Sequence, residues 1–449
     1  MKWYHYLILI CIPYSLYGQG IFRLKENKPV TVKFDLINNV VLVPLTINGI
    51  TFSFLLDTGV KETILFAQAN DSLYLNNKNK MKFHGIGLED GIEGILSTGN
   101  VVELGAGAVI DSLHWLYVIQ ATELDISTDV GVAINGILGS KFFQSFSVRM
   151  DYIRQRMTIY PRGYDYSKAF GKYKKLPIQI EHDRPYVQAA LGNDGNWVEG
   201  KMLLDMGNTD PMMLFSFLLP GFMLRKPFVE EYIGRGFNGE IHGKRNRVAR
   251  VVLGDFELKF PIVAYPDSNA VFMSKLTKNR IGSVGNQVLQ RFDMLLDYER
   301  ELWYLKKNKN FNKPFLLNMA GMDIKHDGMI WAKELVKIPA RAKNNHGLQA
   351  EDQGVTINLA NNDLQYKFVL RPTYRVSGIR KDAPAARAGV QVNDVLLKVN
   401  GTSVSQLTLA KIMAKLQSKP GEFIRLVIER DGVLRDIRFQ LIDPIPLAE

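Results

Sequence analysis

A chain in which Leu55-Leu56-Asp57-Thr58-Gly59 returns as Leu203-Leu204-Asp205-Met206-Gly207 has little freedom in what it folds into. Each copy is an apolar strand that ends in an acid and a glycine. The surroundings repeat in register. Gly136-Ile137-Leu138-Gly139 begins 79 residues after Asp57, and Gly282-Ser283-Val284-Gly285 begins 77 residues after Asp205. Phe146 and Phe292 each follow the second glycine of these GxxG motifs by seven residues. Asp151-Tyr152 and Asp297-Tyr298 each follow the first glycine by fifteen, and Arg154 matches Arg300. Gly85-Ile86-Gly87 and Gly234-Arg235-Gly236 start 28 and 29 residues after their acids. This pattern predicts a duplicated pair of lobes, 21–165 and 166–310.

The lobes read as mainly β. Val40 to Leu45, Thr51 to Leu56, Val148 to Ile159, Val248 to Leu253 and Met294 to Leu305 are rich in β-branched, aromatic and leucine residues, and turn residues such as Asn48-Gly49 separate them. Short helices are predicted after each GxxG, at Ser140 to Gln144 and Asn286 to Arg291. From about Leu317 the pattern changes. Pro384 in the first turn and Gly389 at the end bracket a short helix. Leu407 to Leu416 has helical periodicity. Asn400-Gly401 and Asp431-Gly432 mark hairpin turns. A separate α+β domain over 318–443 follows, with 332–367 as an insertion before a strand at Phe368.

The chain has 449 residues, which is too many for one ordinary core. Lys2, the apolar run Leu7 to Ile12 and the small polar exit Ser15 to Gly20 have the form of a cleavable signal peptide over 1–20, so an exported, periplasmic or secreted protein is expected. No later segment is apolar enough for a membrane span. Cys11 is the one cysteine, so a mature chain without it has no disulfide and no cysteine-ligated zinc. The net charge is +11, but its lysines and arginines are scattered and no nucleic-acid module accompanies them. Gly234 to Gly239 fits GxGxxG but lacks the helix that a dinucleotide site requires. HExxH, GxSxG and Walker A patterns do not occur. No metal and no cofactor are expected.

Two carboxylates brought together from two similar strands make an acid/base pair. Like charges at short range cannot both ionise easily, so such a pair shares one proton. Gly59 and Gly207 leave room for the carboxylates to approach and to accept backbone N–H bonds. A lone Leu-Leu-Asp-Thr-Gly reads equally well as a strand running into an Asp-capped turn; the duplicated frame favours the pair.

On these residues the chain resembles the retropepsin/pepsin-type aspartic peptidases, and as a whole the bacterial aspartyl proteases that carry a C-terminal PDZ domain. Ala383-Pro384-Ala385-Ala386-Arg387-Ala388-Gly389 and Asn393-Asp394-Val395-Leu396 carry the PDZ part of the likeness. The resemblance implies a bilobal pepsin/retropepsin-like fold made by internal duplication, with a C-terminal α+β PDZ-like domain. It implies an aspartic endopeptidase with Asp57 and Asp205 as catalytic residues, supported by Thr58, Gly59, Met206 and Gly207. A flap over peptide or unfolded-protein substrate would lie at His84, Gly85, Ile86 and Gly87. Gly321, Met322, Asp323 and Ile324 would form the PDZ peptide-binding end, taking a protein C-terminus. A monomer suffices, since duplication supplies both acids. The chain departs from the family pattern at Met206, where a hydroxyl residue is expected, at Val60 and Asn208, and at Ser283-Val284. Met206→Thr is expected to restore a link between the lobes. The departures keep two other readings open, a cleft that binds peptide without turnover and a scaffold centred on the PDZ-like domain.

Overall fold

The computed structural model describes residues 20–67, 73–83, 92–120, 126–193, 195–236, 239–271, 276–337, 348–351, 354–357 and 364–446. The signal-like segment and His84, Gly85, Ile86 and Gly87 lie outside the described residues.

The protein is mainly β, with short helices. In each half, the strand that ends at the acid pairs in parallel with the strand of its GxxG motif. Leu55 and Leu56 of Ile50–Leu56 lie opposite Ile137 and Leu138 of Gly136–Leu138. Leu204 and Asp205 of Asn196–Asp205 lie opposite Val284 and Gly285 of Arg280–Gly285. A six-stranded sheet joins the halves, in the order Lys174–Pro177, Leu302–Lys307, Phe292–Asp297, Ser147–Asp151, Arg156–Tyr160, Val30–Lys33. At its centre the matching strands of the two copies pair antiparallel, Met150 opposite Met294. Val148, Met150, Met294 and Leu296 are almost fully buried there and belong to one core that runs through both halves.

The stretches read as single strands, Val148 to Ile159 and Met294 to Leu305, are hairpins. Gln155 and Glu301 take left-handed φ values of 52° and 53°. In both turns one carboxylate oxygen accepts a backbone bond and the other a side-chain bond: Arg154 N–H to Asp151 is 3.0 Å, and Arg300 N–H to Asp297 is 3.1 Å. The matched Asp and Arg residues of the repeat are therefore turn fasteners. Contacts between the halves repeat too. The Asn38-Asn39 turn receives Asn286 Nδ2 (2.6 Å to Asn39 O) and Gln290 Nε2 (2.8 Å to Asn39 Oδ1). The His182-Asp183 turn receives Gln144 and Lys61, the latter at 2.7 Å.

The C-terminal domain has its own core, including Met322, Val376, Leu396, Ile412, Leu416 and Ile428. Pro384–Arg387 and Leu409–Leu416 are helical, and Thr408 caps the second by accepting from Lys411 N–H. Phe423–Arg430 and Val433–Gln440 form the hairpin around Asp431-Gly432. The expected insertion differs: Met322–Lys337 and Leu364–Ile379 pair as one long antiparallel ladder. Phe315, Leu317 and Ile445 join the core of the halves, and Arg247 donates to the carbonyls of Phe315 (3.0 Å) and Ile445 (3.3 Å). Among the described residues no helix is long and apolar enough to cross a membrane.

Candidate functional site

The acid-bearing strands are apolar because they run through the core. Leu56 and Leu204 are at most 1% exposed, so each strand delivers its acid to a fixed place. The structure brings Asp57 and Asp205 together across the two halves, with Gly59 and Gly207 beside them. A methyl group on Gly207 would sit 2.4 Å from Asp57 Oδ2, and one on Gly59 would sit 2.8 Å from Asp205 Oδ1. Neither glycine tolerates a side chain without moving a carboxylate. Gly59 N–H donates to Asp57 Oδ1 at 2.7 Å, and the N–H groups of Gly207 and Asn208 donate to Asp205 Oδ1 at 3.1 Å each.

Burial pushes the Asp57 carboxyl up to about 7, and the like charge of Asp205 adds to it. Burial also raises Asp205, while Arg280 and the backbone N–H groups pull it back. At neutral pH the pair thus holds about one proton between two carboxylates. Arg184 and Tyr298 complete the surroundings. Arg184 attracts both acids, and its Nε is buried with no partner among the described residues. Tyr298 stacks on Phe143, its hydroxyl buried without a bond. Sequence reading missed Arg184 and Arg280. A signal existed for Arg280: it is a charge in an apolar strand where the first copy has Ile134. A cavity of about 630 Å³ lined by Gln188, Lys201, Leu218, Thr277 and Arg280 reaches the far side of this arginine and not the acids.

The link between the halves is one-sided. Thr58 Oγ1 donates to Leu204 O at 2.6 Å and accepts from Met206 N–H at 3.0 Å. Met206 is fully buried in the core. Met206→Thr would place a hydroxyl in apolar surroundings and remove a packed thioether, so the gain expected from sequence is replaced by an expected loss of about 1–3 kcal/mol. Thr58→Val would orphan a buried N–H and a buried carbonyl together, at about 2–4 kcal/mol. Urea unfolding of both variants checks these values; an unchanged midpoint for Thr58→Val would show that the link contributes nothing.

Met322, Asp323 and Ile324 begin the long strand of the C-terminal domain, and Gly321 (φ 68°) precedes it. Met319 N–H bonds Leu416 O at 3.1 Å, which sets the end of the Leu409–Leu416 helix beside that start. Among the described residues no group of three or more His, Cys, Asp or Glu side chains is placed to hold a metal. One chain of hydroxyl, imidazole and carboxylate occurs: His114 lies 2.8 Å from Thr63 Oγ1 and 2.7 Å from Asp111 Oδ2. All three are at most 3% exposed, so it fastens strands and presents no hydroxyl to a substrate.

A family model described as "PDZ domain" matches residues 375–430. A curated protein of Staphylococcus saprophyticus subsp. saprophyticus, "Probable CtpA-like serine protease", is 40% identical over 63 residues, 14% of this chain. The chain spans 13% of that relative's length. These findings correct the expected peptidase type. The relative is named a serine protease, which overturns both the aspartic-type endopeptidase and the aspartyl protease family read from Asp57 and Asp205. A PDZ domain supports binding of a peptide or a protein C-terminus.

Proposed function

We propose that the chain is a PDZ-containing, peptide-directed protein of the protease class, whose C-terminal domain captures an extended peptide or chain end. The observation that carries this reading is the edge of the strand Met322–Lys337. It pairs with Leu364–Ile379 on one side, and no described strand occupies the other. An extended peptide adds there as a further strand, with main-chain bonds supplying affinity. Gly321, Met322, Asp323 and Ile324 form the receiving end. The protease class is taken from the name of the relative matched over the PDZ stretch.

The two β halves are read as a bilobal body made by duplication, with Asp57 and Asp205 as its proton-sharing pair. One protonated and one ionised carboxyl offer a polypeptide backbone one donor and one acceptor. Export and a monomeric state complete the reading.

The test uses full-length protein and a panel of fluorescein-labelled hexapeptides with free apolar C-terminal residues. Saturable anisotropy changes are expected, with dissociation constants on the order of 1–100 µM, weakened about tenfold by amidation of the peptide end. Labelling by a fluorophosphonate probe is the result the relative's name predicts. No saturable binding to any peptide, together with no probe labelling and no cleavage of a peptide library by mass spectrometry, would sink the reading.

A further inference from the structure

The PDZ domain is tied to the acid pair by a row of buried charges. Arg380 sits at the receiving end of the domain: its N–H donates to Gly321 O at 2.8 Å, and a methyl group on Gly321 would lie 3.0 Å from its Nη2. Arg380 Nη1 donates to Glu231 Oε2 at 2.7 Å. The other oxygen of Glu231 accepts from Arg245 Nη1 at 2.7 Å. Arg245 Nη2 donates to Asp210 Oδ2 at 2.8 Å. Asp210 N–H bonds Asn208 Oδ1 at 3.0 Å, and Asn208 N–H bonds Asp205 Oδ1. An unbroken series of contacts therefore runs from the PDZ receiving end to one acid of the pair.

The burial of this row sets it apart from surface ion pairs. The side chains of Arg245, Glu231, Asp210 and Arg380 are 9–13% exposed. Buried charges held by partners are costly to break, because removing one leaves the next unpaired. Asp323 lies against the same row; burial, with Glu231 next, pushes its carboxyl up to about 6. Arg380 Nη2 and Arg245 Nε are buried without partners among the described residues, so the row has unused donors at both arginines. The first lobe reaches the same junction. Asp129 accepts from Tyr232 Oη at 2.9 Å, and a methyl group on Gly131 would lie 2.6 Å from Leu409 Cβ.

We infer that Arg380, Glu231, Arg245 and Asp210 form a relay that couples peptide occupancy of the PDZ domain to the loop carrying Asp205. A chain end arriving at Gly321 to Ile324 competes for Arg380 and shifts Glu231. Arg245 then releases or tightens Asp210, and with it the N–H groups that Asp205 accepts. Coupling of this kind is reciprocal: whatever occupies the acid pair changes peptide affinity by the same factor. The four residues are positioning residues. Only the ligand rests on the peptide-capture reading; the relay itself does not.

Hydrogen–deuterium exchange of full-length protein tests it. Arg380→Met touches no atom of the acid loop. It is expected to speed exchange of the Gly207, Asn208 and Asp210 amides at least about threefold, with global unfolding by urea little changed. Glu231→Gln keeps the shape, cuts the relay one step further in and should do the same; it carries the test if Arg380→Met does not fold. Arg380→Lys should restore most of the protection. Arg425→Ala, which removes only the exposed pair with Asp436, should leave the loop at the wild-type rate. In wild type, a peptide that binds by anisotropy should change the same amides, and in Glu231→Gln it should bind without changing them. Wild-type exchange in a folded Arg380→Met would overturn the relay. So would a rise of equal size over Ile126–Val130 and Phe228–Gly236, since that marks simple undocking. Failure of every peptide to bind would count against the peptide-capture reading alone, because the variant arm needs no ligand.

Discussion

Asp57→Asn is expected to stabilise the protein at pH 8 and to leave it nearly unchanged at pH 4. In the native state Asp57 is buried beside Asp205 and holds its proton up to about pH 7. In the unfolded chain the same carboxyl releases it near 4. Between those values the native state binds more protons than the unfolded one, so stability falls as pH rises through that window. Above about 7 the full penalty is in place and stays constant. Asparagine never ionises, so the variant escapes it. It also keeps an oxygen to accept Gly59 N–H and gains an N–H to donate to Asp205. A shift of this size corresponds to roughly 4 kcal/mol, and part of it is returned by desolvating the amide, so a gain on the order of 2–4 kcal/mol is expected. Urea unfolding at pH 4 and pH 8 measures it, and the comparison with wild type cancels every other titrating group. Equal midpoints for the two proteins at pH 8 would mean that Asp57 is not held protonated.

A stabilising loss of a buried acid marks a site kept for something other than folding. That much was legible in the sequence, because two acids in one duplicated frame have no structural need to meet. The fold was legible for the same reason. Apolar strands ending at Asp57 and Asp205, and GxxG motifs at equal offsets, fixed which strands lie side by side. What escaped was whatever depends on side chains far apart in the chain. Arg184 enters only because the His182-Asp183 turn reaches the first lobe, and Arg245 only because a second-lobe hairpin faces the PDZ domain. The hairpin breaks at Gln155 and Glu301 were hidden because neither residue announces a left-handed φ. Met206 looked like a lost hydroxyl, since sequence does not reveal that its side chain fills the core. The peptidase type was misread for a different reason. Paired acids set a proton-sharing geometry, and a resemblance carried by that geometry was extended to a reaction type that the matched relative's name does not support.

Gly285→Ala is expected to be among the most damaging single-methyl changes in the chain. The second glycine of the repeated GxxG lies where two strands and the acid loop converge. A methyl group there would sit 2.0 Å from Asp210 O, 2.8 Å from Asn208 O and 2.9 Å from Asn208 Cγ. Two of these atoms are backbone, and the backbone is held. Gly285 N–H bonds Pro211 O at 2.9 Å, and Asn286 N–H bonds Asn208 O at 2.7 Å. Nothing flexible can yield, so the strand Arg280–Gly285 must separate from the 208–211 segment. Overpacking that forces backbone shifts costs about 1–3 kcal/mol, and lost buried bonds add to it, so about 3–5 kcal/mol is expected. Gly139 occupies the matching place in the first copy, where a methyl would sit 2.3 Å from Glu62 O and 2.5 Å from Lys61 O. Gly139→Ala should therefore cost a similar amount. Gly163, at φ 71° with open space around its Cβ position, serves as the control and should lose only the strain of a left-handed alanine, about 1 kcal/mol. Urea midpoints for the three variants separate close approach from backbone conformation. If Gly285→Ala unfolded with the Gly163→Ala protein, the GxxG glycines would be needed for turn geometry and not for contact. The displaced segment also carries the N–H groups that Asp205 accepts, so a folded Gly285→Ala protein should hold its acid pair at a higher pH than wild type.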